Sequence, residues 1–206
     1  MGGKKVTDVA QEAGILEEDV LRADLYDLLA ALLSRPPSRD LIDRVAELEG
    51  DDGELGRAVK ALARIARATT ELTAESEFTG IFIGIGRGEL VPYASYYMTG
   101  FLNEKPLAVL RNDMARLSIE REPNVYEPED NIASLCEMMS GLIRGRFGEP
   151  ADMDGQKEFF SKHVGPWAGH FFTDLEGAKG SVFYAPVEAI GRVFLEIERE
   201  AFRMGA

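Results

Sequence analysis

The stretch VLRADLYDLLAALLSRPP, at residues 20–37, carries the strongest helical pattern in the chain. Its leucines recur at intervals of three and four residues, which places them on one face of an α-helix. They are Leu21, Leu25, Leu28, Leu29, Leu32 and Leu33. Charged residues such as Arg22 and Asp24 occupy other positions, and the Pro-Pro pair cannot continue a helix. The stretch therefore predicts a helix with one apolar face.

Helical patterns follow this segment almost to the end of the chain. Helices are predicted after Ser38, over 54–71, from an N-cap at Thr73, from Pro106 to about Ser118, from Pro128, over 156–163, over 166–177 and from about Ser181 to Phe202. Residues 91–104 are predicted to form a loop with one short helical turn. No two segments form a hairpin pattern and no repeat period is visible. The predicted fold class is therefore all-α.

The net charge restricts the partners. The chain of 206 residues has 36 acidic and 23 basic side chains, a formal net charge of −13. Such a surface repels phosphate backbones and anionic lipid headgroups, so we expect no nucleic-acid partner and no stable membrane insertion. A basic peptide would be attracted, although many ordinary proteins are equally acidic.

Cysteine content and the N-terminal sequence indicate a reducing compartment. Cys136 is the only cysteine, so no intramolecular disulfide is possible, and it lies in an apolar helical stripe where a thiol is usually inert. The opening sequence MGGKKVTDVAQEAG lacks the apolar stretch of a secretory signal. Val6 stands where N-myristoylation of Gly2 requires Ser or Thr. No run of about 18 apolar residues occurs. We expect a cytoplasmic protein.

A search for catalytic or metal-binding patterns finds none. His163 and His170 lack an HExxH arrangement, and we expect capping or surface positions for them. The glycine-rich loop at 84–88 lacks the Lys and Ser or Thr of a phosphate-binding loop, so helix termination explains it better. Ser95 lacks the glycine-flanked elbow of hydrolases. We therefore expect no enzyme activity, no metal site and no cofactor.

Aromatic and acidic clusters remain as candidates for binding. The C-terminal aromatics, predicted to be core, are Phe159, Phe160, Trp167, Phe171, Phe172, Phe183 and Tyr184. A second aromatic cluster comprises Tyr93, Tyr96, Tyr97 and Phe101, and tyrosine suits binding grooves because it combines apolar area with a polar tip. An acidic cluster comprises Glu127, Glu129 and Asp130. The alternative is that the acids only complement a helix dipole.

Several motifs together resemble those of one family. They are EFTGIFIG, PYASYYMTG, KPLAVLRNDMARLSI, EPEDNIASLCEMM, FFSKHVGPWAGHFFTDL and SVFYAPVEAIGRVF, in that order over roughly residues 20–200. This set resembles the TorD/DmsD family of redox-enzyme maturation chaperones, whose central motif reads approximately E-P-x-D-H before a helix. Several spaced motifs in the expected order are more specific than any single one.

The resemblance implies both a fold and a function. It implies a main helical domain, 1–146 here, and a C-terminal helical portion, 147–206, packed on it through a hinge as one integrated fold. It also implies binding of the twin-arginine signal peptide of a molybdopterin-containing oxidoreductase precursor, which is held in the cytoplasm until its cofactor is inserted. The protein would be a monomer or a domain-swapped dimer. Some relatives bind GTP weakly, but no motif in this chain supports that.

The same resemblance, with the aromatic cluster, assigns the binding residues. The predicted set is Tyr26, Tyr93, Ser95, Tyr96, Glu127, Pro128, Asp130 and Asn131. Asn131 stands where the family often has histidine, and an amide cannot titrate near neutral pH. Two other hypotheses stay open: a small nucleotide hydrolase that uses the 84–88 loop, and a structural assembly subunit of an oxidoreductase.

Overall fold

The computed structural model describes residues 16–84, 88–121, 123 and 125–205. Ten α-helices make up this part of the chain, and two of them continue into a π-helical turn. They are α1 Glu17–Ser34, α2 Arg39–Ala46, α3 Glu54–Ala66, α4 Glu71–Phe78 with π turn Thr79–Ile83, α5 Ala94–Thr99, α6 Lys105–Arg116, α7 Ile132–Arg144, α8 Met153–Phe159 with π turn Phe160–Val164, α9 Ala168–Glu176 and α10 Ala185–Met204. The described residues contain no strand, only an isolated bridge between Tyr93 and Asn131. The all-α prediction is confirmed.

Side-chain caps set where several of the helices begin. The Ser38 hydroxyl accepts a hydrogen bond from the Leu41 N–H at 3.3 Å, as predicted for α2. The cap of α4 is Thr70, whose hydroxyl accepts from the Thr73 N–H at 3.2 Å. The prediction of Thr73 as the cap of α4 was therefore wrong by about one turn. As the cap, Thr70 has an extended backbone, so α3 ends at Ala66 rather than at residue 71.

The start of α7 also differs from the prediction. Pro128 does not lie in the first turn of this helix, which begins at Ile132. Asn131 is the cap, and its side-chain oxygen accepts from the Ala133 N–H at 2.9 Å. Pro128 instead lies in the preceding turn, where its carbonyl accepts from the Asn131 N–H at 3.3 Å. An Asn side chain satisfies a free N–H at a helix start, whereas proline only removes one.

The buried face of α1 is rotated from the predicted leucine face. Leu21 is 60% exposed, whereas Arg22 and Tyr26 are buried. The other buried residues of this helix are Ala23, Leu29, Ala30, Leu32 and Leu33. Arg22 and Tyr26 can occupy the core side because both bond to the buried carboxylate of Glu198 on α10. Two polar side chains, Arg22 and Tyr26, thus take the place of part of the expected apolar face, because Glu198 satisfies their hydrogen bonds.

The core is built from both ends of the chain. Helix α1 packs along α7, and α10 packs against α9, α3 and α1. The C-terminal aromatic residues from Phe159 to Tyr184 are all buried in this core, as predicted. Buried apolar residues from α1 to α10 form one cluster. The division at residue 146 and the hinge stay predictions.

Candidate functional site

The loop at 127–131, which we call the motif loop, is fastened to the start of α5. The Ala94 N–H donates to the Asp130 carbonyl at 2.9 Å, and the Ile132 N–H donates to the Pro92 carbonyl at 2.9 Å. These backbone bonds bring the starts of α5 and α7 together. Two segments that are more than 30 residues apart in sequence therefore present their side chains at one place.

Asp130 lies beneath the surface of this junction. Its side chain is 1% exposed, and its Oδ2 accepts the Ser95 N–H at 2.7 Å. Asp130 Oδ1 and the fully buried Ser95 hydroxyl have no hydrogen-bond partner among the described residues. A carboxylate that accepts a backbone N–H at a helix start stabilises that start, so Asp130 fixes α5 against the motif loop.

Glu127 is the exposed carboxylate of the motif loop. Its Oε1 accepts the Tyr93 hydroxyl and also the Asn131 side-chain N–H, the latter at 3.2 Å. Partial burial and the bond to Glu127 raise the pKa of Tyr93 well above its ordinary value, so the phenol stays a donor. Tyr93 and Asn131 therefore hold one Glu127 oxygen in place and leave the other without a partner among the described residues.

Glu129 is already neutralised by arginine. Both Nε and Nη2 of Arg111 donate to its Oε2, at 3.0 and 2.8 Å, and Arg121 lies 3.5 Å from its Oε1. Burial alone would raise the pKa of Glu129, but the hydrogen bond from Arg111 and the neighbouring charges outweigh it and lower the pKa. The acidic cluster of the sequence thus divides into one exposed, one paired and one buried carboxylate.

The remaining predicted site residues occupy different environments. Pro128 is partly buried within the motif loop, and Tyr96 is half-buried with its ring edge-on to Tyr97 at 6.0 Å. Tyr26 is fully buried, and its hydroxyl donates to Glu198 Oε2 at 2.9 Å. Tyr26 therefore lines no open groove in this structure, and it belongs to the contact between α1 and α10.

A groove of about 610 Å³, which we call the large groove, borders the motif loop. Its acidic side chains are Asp27, Glu120, Glu127, Glu129 and Glu137. Its arginines are Arg35, Arg44, Arg121 and Arg146. Its apolar side chains include Leu41, Met114, Ile119, Val125, Met138 and Phe147. The sequence analysis did not predict these apolar lining residues, because the methionines and the leucine among them have the spacing of ordinary core residues.

A smaller cleft of about 330 Å³, which we call the apolar cleft, lies between α5, α6 and the second π turn. Its apolar side chains are Ala94, Met98, Pro106, Val109, Leu110 and Leu135. Its polar side chains are Thr99, Lys105, Asp130, Lys162 and His163. The motif loop therefore contributes Glu127 and Glu129 to the large groove and Asp130 to the apolar cleft.

His163 is buried, which corrects the prediction of a capping or surface position for it. Its Nε2 lies 2.8 Å from Asp113 Oδ2, and its carbonyl accepts the Trp167 indole N–H at 2.7 Å. Burial lowers the pKa of His163, and the bond to Asp113 only partly opposes this. His170 is exposed, as predicted. The partner of His163 lies 50 residues away, so no local pattern of residues indicates its burial.

Other candidates for chemistry have structural roles in the described residues. Cys136 is buried, as predicted, and burial raises the pKa of its thiol. Gly84 has a positive φ of 61° and ends the first π turn, as predicted. Gly86 lies outside the described residues, as do Gly2 and Val6.

No group of three metal-ligating side chains occurs within residues 16–84, 88–121, 123 and 125–205. Across the same ranges, every helix is too short or too polar to span a membrane.

Comparisons with known proteins agree with this architecture. The model of the family described as nitrate reductase delta subunit matches residues 48–173, more than half of the chain. The chaperone protein TorD of Vibrio cholerae is 29% identical over 181 residues, which cover 78% of this chain and 81% of that protein. TorD of Aliivibrio fischeri is 26% identical over 198 residues, which cover 86% of this chain and 92% of that protein.

A solved structure supports the fold. A protein from Archaeoglobus fulgidus described as a redox enzyme maturation protein superposes with a TM-score of 0.60 at 20% identity, over 85% of this chain and 93% of that one. Fold, motif loop and relatives together define the class as an all-helical maturation chaperone. The chain belongs to the nitrate reductase delta subunit family, which confirms the TorD/DmsD resemblance.

Proposed function

We propose that this chain is a cytoplasmic chaperone that binds the twin-arginine signal peptide of a molybdopterin-containing oxidoreductase precursor. It holds the precursor until the cofactor is inserted, and it does so without a metal, a cofactor or a catalysed reaction of its own. The observation that carries the proposal is the exposed Glu127 carboxylate, held by Tyr93 and Asn131 at the edge of the large groove. The named TorD relatives support it.

The geometry of Glu127 suits an arginine side chain. Both side-chain hydrogen bonds of Glu127 end on Oε1, so Oε2 can accept from a guanidinium, while its carbonyl accepts from Arg121 at 2.8 Å. Charge-assisted bonds of this kind are short and directional. Glu120 is a second exposed acid of the same groove. At an exposed rim these acids contribute mainly to specificity and to the rate of association.

In this proposal Asp130 and Ser95 lie beneath the surface and position the motif loop, without contacting the peptide arginines. Because Asp130 is buried and bonded to the Ser95 N–H, its main effect on a peptide is to position the motif loop. Substitution of Asp130 by alanine would then weaken both the fold and peptide binding. Glu127 is the cleaner test because its side chain is exposed.

Titration calorimetry with a synthetic twin-arginine signal peptide tests the proposal. We expect Glu127→Gln to weaken binding by about 0.5–1 kcal/mol, the scale of an exposed ion pair. Glu75→Gln is the matched control, since Glu75 is an exposed glutamate on α4 that does not line the large groove. The same peptide with glutamines in place of the arginines should bind weakly to the wild type. Absence of wild-type binding, or equal affinity of the two peptides, overturns the proposal.

A structural assembly subunit is the second candidate, because the description of the matched family names a subunit. Affinity purification from native cytosol separates the two. A chaperone should recover a precursor with its signal peptide and should be absent from the mature enzyme. An integral subunit should remain with the mature enzyme at fixed stoichiometry.

A further inference from the structure

We infer that a bound signal peptide crosses the motif loop, with its basic pair in the large groove and its apolar segment in the apolar cleft. This inference rests on the proposed function and adds the orientation of the bound peptide to it. The two concavities share no lining residue, yet the motif loop contributes to both. Glu127 and Asp130 are three residues apart, so their Cα atoms are at most about 11 Å apart. A few extended peptide residues cover that distance.

The charged side chains of the two concavities favour the basic pair of the peptide in the large groove and its apolar segment in the apolar cleft. Five acidic side chains and four arginines line the large groove. Arg146 pairs with Asp27 and Arg121 lies beside Glu129, and the exposed acids Glu120 and Glu127 attract a client arginine. The apolar cleft carries Lys105 and Lys162 among its lining residues, and its acid, Asp130, is buried against the Ser95 N–H. A cationic side chain is therefore favoured beside Glu120 and Glu127, whereas Lys105 disfavours one at the cleft, where Lys162 is already paired with Glu158 at 2.6 Å.

The apolar surface shows the opposite preference. Six of the eleven residues that line the cleft are apolar, and two of them are partly open to solvent, Met98 at 46% and Val109 at 39% exposure. The turn that joins α5 to α6 also exposes Phe101 and Leu102, at 69% and 45%, although neither lines the cleft. Exposed apolar side chains in a concavity mark a binding surface, and methionine adapts to varied apolar partners. The apolar segment of the client peptide is the occupant that this surface matches.

A matched pair of substitutions tests the direction. Val109 in the apolar cleft and Val125 in the large groove are exposed to similar extents, 39% and 45%. Val109→Gln and Val125→Gln both replace an exposed valine by a neutral polar side chain, so the fold should tolerate them equally. We expect Val109→Gln to weaken the binding of a peptide with two arginines and a leucine-rich segment by about five- to tenfold, from the lost burial of one valine. Val125→Gln should weaken it less than Val109→Gln does, and Val182→Gln, at an exposed valine that lines neither concavity, should change it less than about twofold.

Two further measurements keep the outcome clear. A truncated peptide that ends after the arginines should bind Val109→Gln as it binds the wild type. A benzophenone placed in the apolar segment should crosslink to Met98, whereas binding along the large groove would place it at Met114 or Met138. If the wild type binds the full peptide but Val125→Gln is the weaker variant, or the crosslink lies in the large groove, the inference is wrong and the proposed function stands. If the wild type binds no peptide, the proposed function itself is wrong.

Discussion

Arg22 on α1 and Glu198 on α10 form a two-bond ion pair that is enclosed by the core. The guanidinium Nε and Nη2 lie 2.6 and 2.9 Å from the two carboxylate oxygens, and Glu198 is fully buried. The Tyr26 hydroxyl donates to the same carboxylate at 2.9 Å. The pair joins two helices that are 176 residues apart, so it links the first described helix to the last.

Removal of one partner of this pair should destabilise the fold strongly. We expect Glu198→Ala to lower the free energy of unfolding by about 3 kcal/mol, because the buried Arg22 charge loses both bonds to Glu198 and keeps only Asp19 as a carboxylate partner. The double variant Arg22→Met with Glu198→Leu should recover much of the loss, since well-packed apolar replacements of buried pairs are often neutral. Urea denaturation measures both. Glu200→Ala, at an exposed pair with Arg203 on the same helix, is the control and should change little.

Glu77 should anchor the start of α10. Its Oε1 accepts the N–H groups of Val182 and Tyr184 at 2.8 and 2.9 Å, and its Oε2 accepts that of Phe183 at 3.1 Å. We expect Glu77→Ala to lower the free energy of unfolding by about 2 kcal/mol, because charged acceptors of backbone N–H groups at a helix start are among the stronger hydrogen bonds. Glu75→Ala, two residues earlier and exposed, is the control. Equal effects of the two variants in urea denaturation would contradict this role.

The stability of the protein should fall in mild acid because of His163. Burial lowers the pKa of His163 below its ordinary value of about 6.5, against a partly opposing bond to Asp113. The unfolded chain then binds this proton more readily than the folded chain. The contribution of His163 to the free energy of unfolding is therefore fully present above about pH 6.5, and it is lost as the pH falls below that value. Lys162 and Arg116 face the same carboxylate and add to the cost of a charged imidazole.

The test of this dependence compares the two histidines. The fluorescence of Trp167, the only tryptophan, can follow urea unfolding at several pH values, because its indole bonds to the His163 carbonyl. His163→Gln should flatten the decline in stability below about pH 6.5, whereas His170→Gln should leave it unchanged because His170 is exposed. Bonds from His163 and Arg116 outweigh burial and lower the pKa of Asp113, so its contribution is lost only at lower pH.

Local signals in the sequence predicted the helices, and distant partners explain what they missed. The capping hydroxyl of Ser38 and the proline after Lys105 act within one turn, so both helix starts were predictable. The burial of Arg22 depends on Glu198, 176 residues later, and no local pattern carries that information. The leucine spacing of α1 therefore predicted a helix correctly but its buried face only in part.

The candidate site was predictable to a similar degree. Resemblance placed Tyr93, Glu127 and Asn131 together, and the structure brings them into one cluster. The burial of Asp130 was not visible in the sequence, because an acid before a helix is equally compatible with an exposed dipole partner. Its bond to the Ser95 N–H arises only when the starts of α5 and α7 meet.

Cys136 should be unreactive in the folded protein. The thiol is buried on α7, and burial, with smaller contributions from Glu137 and Asp27, raises its pKa. Since the thiolate is the reactive form, we expect a disulfide reagent to label the native protein far more slowly than the urea-unfolded protein. Absorbance of the released thiolate follows the reaction. Labelling of the native protein as fast as the unfolded protein would show that α7 does not enclose this residue.

Asn131 should have two separable roles, in the stability of α7 and in the site. Its oxygen caps α7 through the Ala133 N–H, and its amide N–H donates to Glu127. We expect Asn131→Ala to lower the free energy of unfolding by about 1 kcal/mol and to weaken peptide binding as well. Asn131→Ser keeps a capping oxygen but cannot reach Glu127 in the same way, so it should retain stability and lose peptide affinity. Equal unfolding free energies for the two variants would exclude the capping role.

Asn131→His introduces the residue that the family often has at this position. An imidazole beside the Glu127 carboxylate can take a proton near neutral pH, whereas an amide cannot. We expect the wild type to bind a twin-arginine peptide with an affinity that varies little between pH 6 and 8, and Asn131→His to bind it more weakly toward the acid end of about that range. The added positive charge would neutralise Glu127, the exposed acid held by Tyr93. Titration calorimetry across this range measures it, and an equal pH profile for both proteins would show that residue 131 does not face the bound arginines.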